Sequence, residues 1–136
     1  MIQSTTIFVL FSTKYPLLQS SNQKHTCQYL YSQGARTFWI HNTGPIGCLP
    51  VALPIHNAYN YTPADGYLDQ NGCVVYQNDM AKEFNTKLND TVVKLRALYL
   101  DASFVYVDIF SAKYELIGNA KKEGKPFCHT KFYYQN

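Results

Sequence analysis

No aspartate or glutamate occurs before Asp65 in this chain of 136 residues, so its first 64 positions carry only Lys14, Lys24 and Arg36 as fixed charges. Three scattered cations do not form the clustered Lys/Arg surface that follows a phosphate backbone. From Asp65 onward nine acids are met by nine bases, so the net charge of +3 points to no nucleic-acid partner. Long apolar runs are missing too. Nothing approaches the roughly 18 consecutive apolar residues that a transmembrane helix needs, and no membrane span is expected. Ile7–Phe11 is apolar but short, and no basic residue precedes it, so the start of the chain does not read as a secretion signal. Charged residues are only 15% against 46% hydrophobic, which argues against disorder and for a packed core.

Cysteine is sparse and carries no metal-binding spacing. Cys27, Cys48, Cys73 and Cys128 contain no CxxC pair, and no histidine lies at zinc-finger distance, so neither a metal nor a cofactor is expected. An even count suits disulfides in an oxidising compartment, and it equally suits four buried thiols. Asn60-Tyr61-Thr62 and Asn89-Asp90-Thr91 are sequons, which makes Asn60 and Asn89 candidate N-glycosylation sites. What the chain has in abundance is tyrosine, 12 in all, a residue suited to half-buried positions with an apolar body and a wet tip.

Residues 1–28 are rich in Ser, Thr and Gln, lack sustained periodicity and are broken by Pro16, so their structure is left open. Ile7–Phe11 could form a short buried strand, but no partner is evident. Gln28–Gln33 reads as the end of a helix stopped by Gly34, and Arg36–His41 as a buried parallel strand. Gly44-Pro45-Ile46-Gly47-Cys48-Leu49-Pro50 then forces a loop, continued by a polar connection to about Gly72. Met80, Phe84, Leu88, Val92, Leu95 and Tyr99 recur every three or four residues and define an amphipathic helix over about Val74–Tyr99. Ser103–Phe110 reads as a second strand, and Ala112–Lys122 as a helix ended by Gly124 and Pro126. Strand, helix and strand in this order make a βαβ unit with parallel strands and a right-handed crossover, hence an α/β architecture. Two strands are few for a sheet that must be covered on both faces, so the chain is expected to be part of a larger sheet and not stable alone.

The stretch Tyr31-Ser32-Gln33-Gly34-Ala35-Arg36-Thr37-Phe38-Trp39-Ile40-His41-Asn42-Thr43-Gly44-Pro45-Ile46-Gly47-Cys48-Leu49-Pro50 closely resembles the plant GDSL esterase/lipase family of SGNH hydrolases. Leu68-Asp69-Gln70-Asn71-Gly72-Cys73, Ala81-Lys82-Glu83-Phe84-Asn85 and Val105-Tyr106-Val107-Asp108-Ile109 continue the likeness in the family's order. The resemblance implies a flavodoxin-like three-layer α/β/α fold, of which residues 29–127 would be the central part. Residues 1–28 would be an unmatched segment and 128–136 a divergent tail. It also implies a secreted plant glycoprotein of a class that hydrolyses ester bonds and is associated with lipid degradation. Cys48 and Cys73 occupy positions characteristic of that family, which implies a disulfide between them.

Serine ester hydrolysis needs a nucleophile, a base to take its proton, and donors facing the developing oxyanion. In the resembling family these come from a Gly-Asp-Ser block, an Asn of a Gly-x-Asn-Asp block and an Asp-x-x-His block. None of them occurs here, and no acid has a histidine three residues later. The sequence therefore assigns no catalytic residue. The expectation is an ester-hydrolase homologue, a fragment inactive by itself, whose ester substrate is implied by family only; a non-catalytic interaction module that keeps the α/β surface is the alternative. His41 is read as structural, Asn42 as a cap on the following loop, and Asp108 as a hydrogen-bond partner of the turn after its strand. The pairs Asn78-Asp79 and Asn89-Asp90 are read as the outer surface of the long helix.

Overall fold

Alternation along Thr37-Phe38-Trp39-Ile40-His41 sorts the strand into two faces: Phe38 and Ile40 are buried, while Trp39 is 40% exposed. This strand lies at the centre of a three-stranded parallel sheet. The structure, a computed structural model, describes residues 6–10, 19–52 and 64–124. The strands are β1 (Thr6–Leu10), β2 (Thr37–His41) and β3 (Ser103–Val107), in the order β1-β2-β3. Thr37 stands opposite Thr6 on one side and Ser103 on the other, and the register continues without a bulge to His41 opposite Leu10 and Val107.

The helices are α1 (Gln19–Ser32), α2 (Val75–Leu98) and α3 (Ile109–Lys122). Two 3-10 turns, Ile46–Cys48 and Pro50–Ala52, punctuate the loop after β2. α1 links β1 to β2 and α2 lies between β2 and β3, as crossovers between parallel strands demand. The fold is α/β, and it has one more strand than the two legible in sequence. β1 falls on the short apolar run whose partner the sequence left open, and it pairs with β2, while α1 begins nine residues before the helix end legible at Gln28. Strand β3 stops at Val107 where the sequence suggested Phe110, and α3 starts at Ile109 where Ala112 was expected.

Two compact units can be separated. The first comprises Met1–Thr43 with Ala81–Ile109, the second Gly44–Met80 with Phe110–Asn136. In the first, Cys27 and Ala35 join Phe38 and Ile40 of β2, Phe104 of β3, and Phe84, Leu88, Val92 and Leu95 of α2 in one core. Phe38 and Phe104 stack across neighbouring strands with ring centroids 4.5 Å apart. Of the predicted stripe, Met80 and Tyr99 are only half-buried, and Ala81 takes the inward place beside Phe84. In the second unit, Cys48, Cys73 and Ile117 form a smaller core against Tyr114.

Candidate functional site

Open parallel sheets bind ligands beyond the carboxyl ends of their strands, which directs attention to the residues after His41 and Val107. There Asn42 ties β2 to β3. Its backbone N–H donates to the Val107 carbonyl at 3.1 Å, extending the ladder by one residue. Its side-chain Nδ2 donates to Tyr106 Oη at 3.0 Å and to Asp108 Oδ1 at 2.8 Å, while its Oδ1 accepts from the Ile109 N–H at 2.7 Å. Ile109 opens α3, so Asn42 caps that helix from the neighbouring strand. Tyr106 Oη in turn donates to the Asn85 carbonyl at 3.3 Å, and burial pushes the Tyr106 hydroxyl above its ordinary pKa. Asn85 of α2 brackets Thr43, accepting from its N–H and donating to its carbonyl, both at 2.9 Å.

The second unit is organised around Asp69. Its Oδ1 accepts the N–H groups of Asn71 and Cys73, each at 2.9 Å, and its Oδ2 accepts Tyr114 Oη at 2.8 Å. Burial and this carboxylate together hold the Tyr114 hydroxyl protonated above its usual range. An isolated bridge between Leu68 and Val74 closes the turn. Gly47 presses against the start of α2, donating its N–H to Asn78 Oδ1 at 2.9 Å. A Cβ at Gly47 would collide with the Val74 carbonyl oxygen, so only glycine fits there. Asn78 is 2% exposed, and its Nδ2 also reaches Cys48 Sγ at 3.6 Å. The reading of Asn78 as a surface residue is therefore corrected: the side chain is an internal clamp, because it accepts the Gly47 N–H at the start of a short 3-10 turn, where no preceding turn supplies a carbonyl. Asp79 and Asn89 are exposed.

The remaining sequence candidates are placed as follows. Cys48 and Cys73 are buried with Cα atoms 4.4 Å apart and sulfurs at 2.13 Å. Asn60 lies outside the described residues. Asp108 was expected to bond the turn after its strand; its Oδ1 accepts from Asn42, beyond the end of β2. Asn42, expected as a cap on the following loop, accepts from the Ile109 N–H at the first residue of α3. His41 is half-buried, and its Nε2 is enclosed with no hydrogen-bond partner among the described residues. A general base must reach the proton it takes, and no such hydroxyl is bonded here. Among the described residues, no cluster of three His, Cys, Asp or Glu could hold a metal, and no helix is long and apolar enough to cross a membrane. What the arrangement does chemically is to hold strand ends and loops in fixed geometry. Sequence reasoning missed Tyr106, Asn85 and Asn78 as parts of these networks; the available signal was three polar residues on strongly patterned elements.

Residues 11–132 match the model of the GDSL-like lipase/acylhydrolase family, a match that begins within residues 1–28 and ends within residues 128–136. The chain is similar to GDSL esterase/lipase At5g14450 of Arabidopsis thaliana, 56% identical over 95 residues that make up 70% of this chain and 23% of that protein. It is 52% identical to GDSL esterase/lipase ACHE of Zea mays over 71% of this chain and 23% of that one. An esterase of Hevea brasiliensis is 46% identical over 72% of this chain and 23% of its own length. The chain thus spans about a quarter of the length of the curated relatives it matches.

Proposed function

Because this chain belongs to the GDSL-like lipase/acylhydrolase family, we propose that it serves ester hydrolysis as a scaffold segment, supplying strand ends and loop geometry without the nucleophile. The observation that carries this reading is the family match over residues 11–132. The networks around Asn42 and Asn78 support it, since Asn42 fixes the turn after β3 and Asn78 the loop after β2, and α/β enzymes build their sites beyond such strand ends. Nucleophile, oxyanion donor and base act as a unit in serine hydrolases, so a chain without all three blocks has no turnover of its own. The polypeptide passes through the secretory route, where Cys48 and Cys73 are joined and Asn89 and Asn60 are glycosylated. Closing a loop of this length stabilises by roughly 3 kcal/mol.

A chimera tests the proposal. The matching segment of the Arabidopsis relative is replaced by residues 29–127, and hydrolysis of p-nitrophenyl acetate is measured beside the isolated chain. A folded chimera within about tenfold of the parent's kcat/KM is expected, with the isolated chain at buffer background. A folded but inactive chimera would overturn the scaffold role. Turnover by the homogeneous chain that a serine-directed inhibitor abolishes would overturn its inactivity. Peptide mapping without reductant, before and after glycosidase treatment, reads the bridge and the glycans.

A further inference from the structure

A cleft of about 590 Å³ lies in the second unit between the turn at residues 68–74 and one face of α3. Its volume falls within the range of small-molecule sites. Tyr114, Gly118 and Lys121 recur at i, i+4 and i+7, and Glu115, Asn119 and Lys122 repeat that spacing one residue on, so a single helix face forms one wall. Gln70 and Asn71 form the other.

We propose that this cleft binds a neutral carbohydrate, a short run of pyranose units recognised by side-chain amides over a tyrosine ring. Three features carry the assignment. The first is donor and acceptor chemistry: Gln70 and Asn119 each offer an amide that donates and accepts, and Asn71, whose side chain also bonds Tyr114, offers its remaining capacity, which matches the hydroxyls of a sugar, themselves both donor and acceptor. The second is the aromatic wall, since Tyr114 gives an apolar surface for the C–H face of a sugar ring. The third is preorganisation. Asp69 holds the Asn71 N–H and the Tyr114 hydroxyl at once, and Lys121 Nζ donates to the Gln70 carbonyl at 2.6 Å. Both walls are therefore set before a ligand arrives, which lowers the entropy cost of binding.

Gly118 has a specific part in this. A Cβ there would stand 3.2 Å from the Asn71 amide, so the missing side chain lets Asn71 lie against the helix. Charge decides against an anion as the ligand. Glu115 offsets one of the two lysines, and Lys121 is engaged with the Gln70 carbonyl. The site does not depend on ester hydrolysis.

The test is titration of the full 136-residue chain, labelled with 15N, with cellohexaose, and in parallel with an oligogalacturonate of equal length. Expected are shift changes at the side-chain amides of Gln70, Asn71 and Asn119 and at the backbone of Gly118, with a Kd on the order of 0.1–1 mM, typical of an open site with few hydrogen bonds. Asn119→Ala, at a helix position with no structural bond described above, should weaken binding about fivefold to tenfold, the loss of one good hydrogen bond. Gly118→Ala should weaken it further by displacing Asn71. No shift at these residues up to 10-fold above that Kd range, shifts confined to other surfaces, or binding of the uronate alone would each overturn the proposal. An unchanged Kd for Asn119→Ala in a chain of wild-type spectrum would do the same.

Discussion

Replacing Asn42 by alanine removes the side-chain hydrogen bonds to Tyr106, Asp108 and Ile109 at the junction of β2, β3 and α3, and their separate fates set the size of the effect. The Ile109 N–H loses its 2.7 Å acceptor at the first residue of α3, equivalent to deleting an N-cap, and this costs about 0.5–2 kcal/mol. Asp108 is exposed and turns its oxygen to water at little cost. Tyr106 is half-buried and keeps its bond to the Asn85 carbonyl, so it loses one donor and is not stranded. A further fraction of a kcal/mol comes from the small void, because Asn42 is itself buried. The sum is about 2 kcal/mol, which for a domain of this size lowers Tm by roughly 6–10 °C.

Asn42→Asp separates the roles. It keeps an oxygen for the Ile109 N–H but places a second carboxylate where Nδ2 now donates to Asp108 at 2.8 Å. Like charges at that distance raise the folded-state pKa of one carboxyl above its unfolded value near 4. The variant's deficit against wild type is therefore smallest below about pH 4 and grows as pH rises through the raised value. Urea unfolding by circular dichroism at pH 4, 5.5 and 7 measures both effects. A loss under about 0.5 kcal/mol for Asn42→Ala, or a pH-independent deficit for Asn42→Asp, would refute the reasoning.

Leu88→Ala in the core of the first unit should cost about 2–5 kcal/mol, whereas Val93→Ala on the exposed side of the same helix should stay within about 0.5 kcal/mol; urea midpoints compare them. Burial pushes the Cys27 thiol up to about 11, so iodoacetamide at pH 8 should modify the Cys27 peptide far more slowly in the folded chain than in urea, as read by mass spectrometry. The same shift makes stability fall as pH rises from about 9 through about 11, and be fully present below that window.

How far the sequence announces this structure depends on whether a signal is local. The stripe Phe84, Leu88, Val92 and Leu95 is a local pattern, and α2 occupies Val75–Leu98, within one residue of the range that periodicity gives. β2 and β3 are likewise marked by β-branched and aromatic runs with clear punctuation. β1 is not. Thr6–Leu10 has the composition of a strand, but its pairing with β2 is a register between segments some thirty residues apart, which no local window contains. That third strand changes the reckoning of stability, because three strands covered by a helical face can stand alone where two cannot. Thermal unfolding of the full chain therefore bears on whether it persists as a monomer. The networks at the site were the least legible. Asn42 lay within a conspicuous motif, yet its partners Tyr106 and Asp108 sit more than sixty residues away.

The two buried asparagines of α2 show why such residues escape a reading by hydrophobic pattern. A periodic stripe sorts helix positions into apolar and polar, and it assigns every polar side chain to the outside. Asn78 and Asn85 are seven residues apart, two turns, and so lie on one face, and both are buried. Within its own unit, each does the same work. Asn85 satisfies both backbone groups of Thr43, and Asn78 satisfies the N–H of Gly47. Between those points the chain runs through Gly44 and Pro45, where no ladder can form. A backbone group buried without a partner costs about as much as a lost hydrogen bond, so a loop held against a helix requires polar side chains from that helix. The amide is suited to this because it can donate and accept at once from separate atoms, whereas an ionised carboxylate only accepts. The signal was thus present in the sequence as a relation between two places: a Gly-Pro loop too irregular for a continuous ladder, and a long helix with asparagines spaced by whole turns.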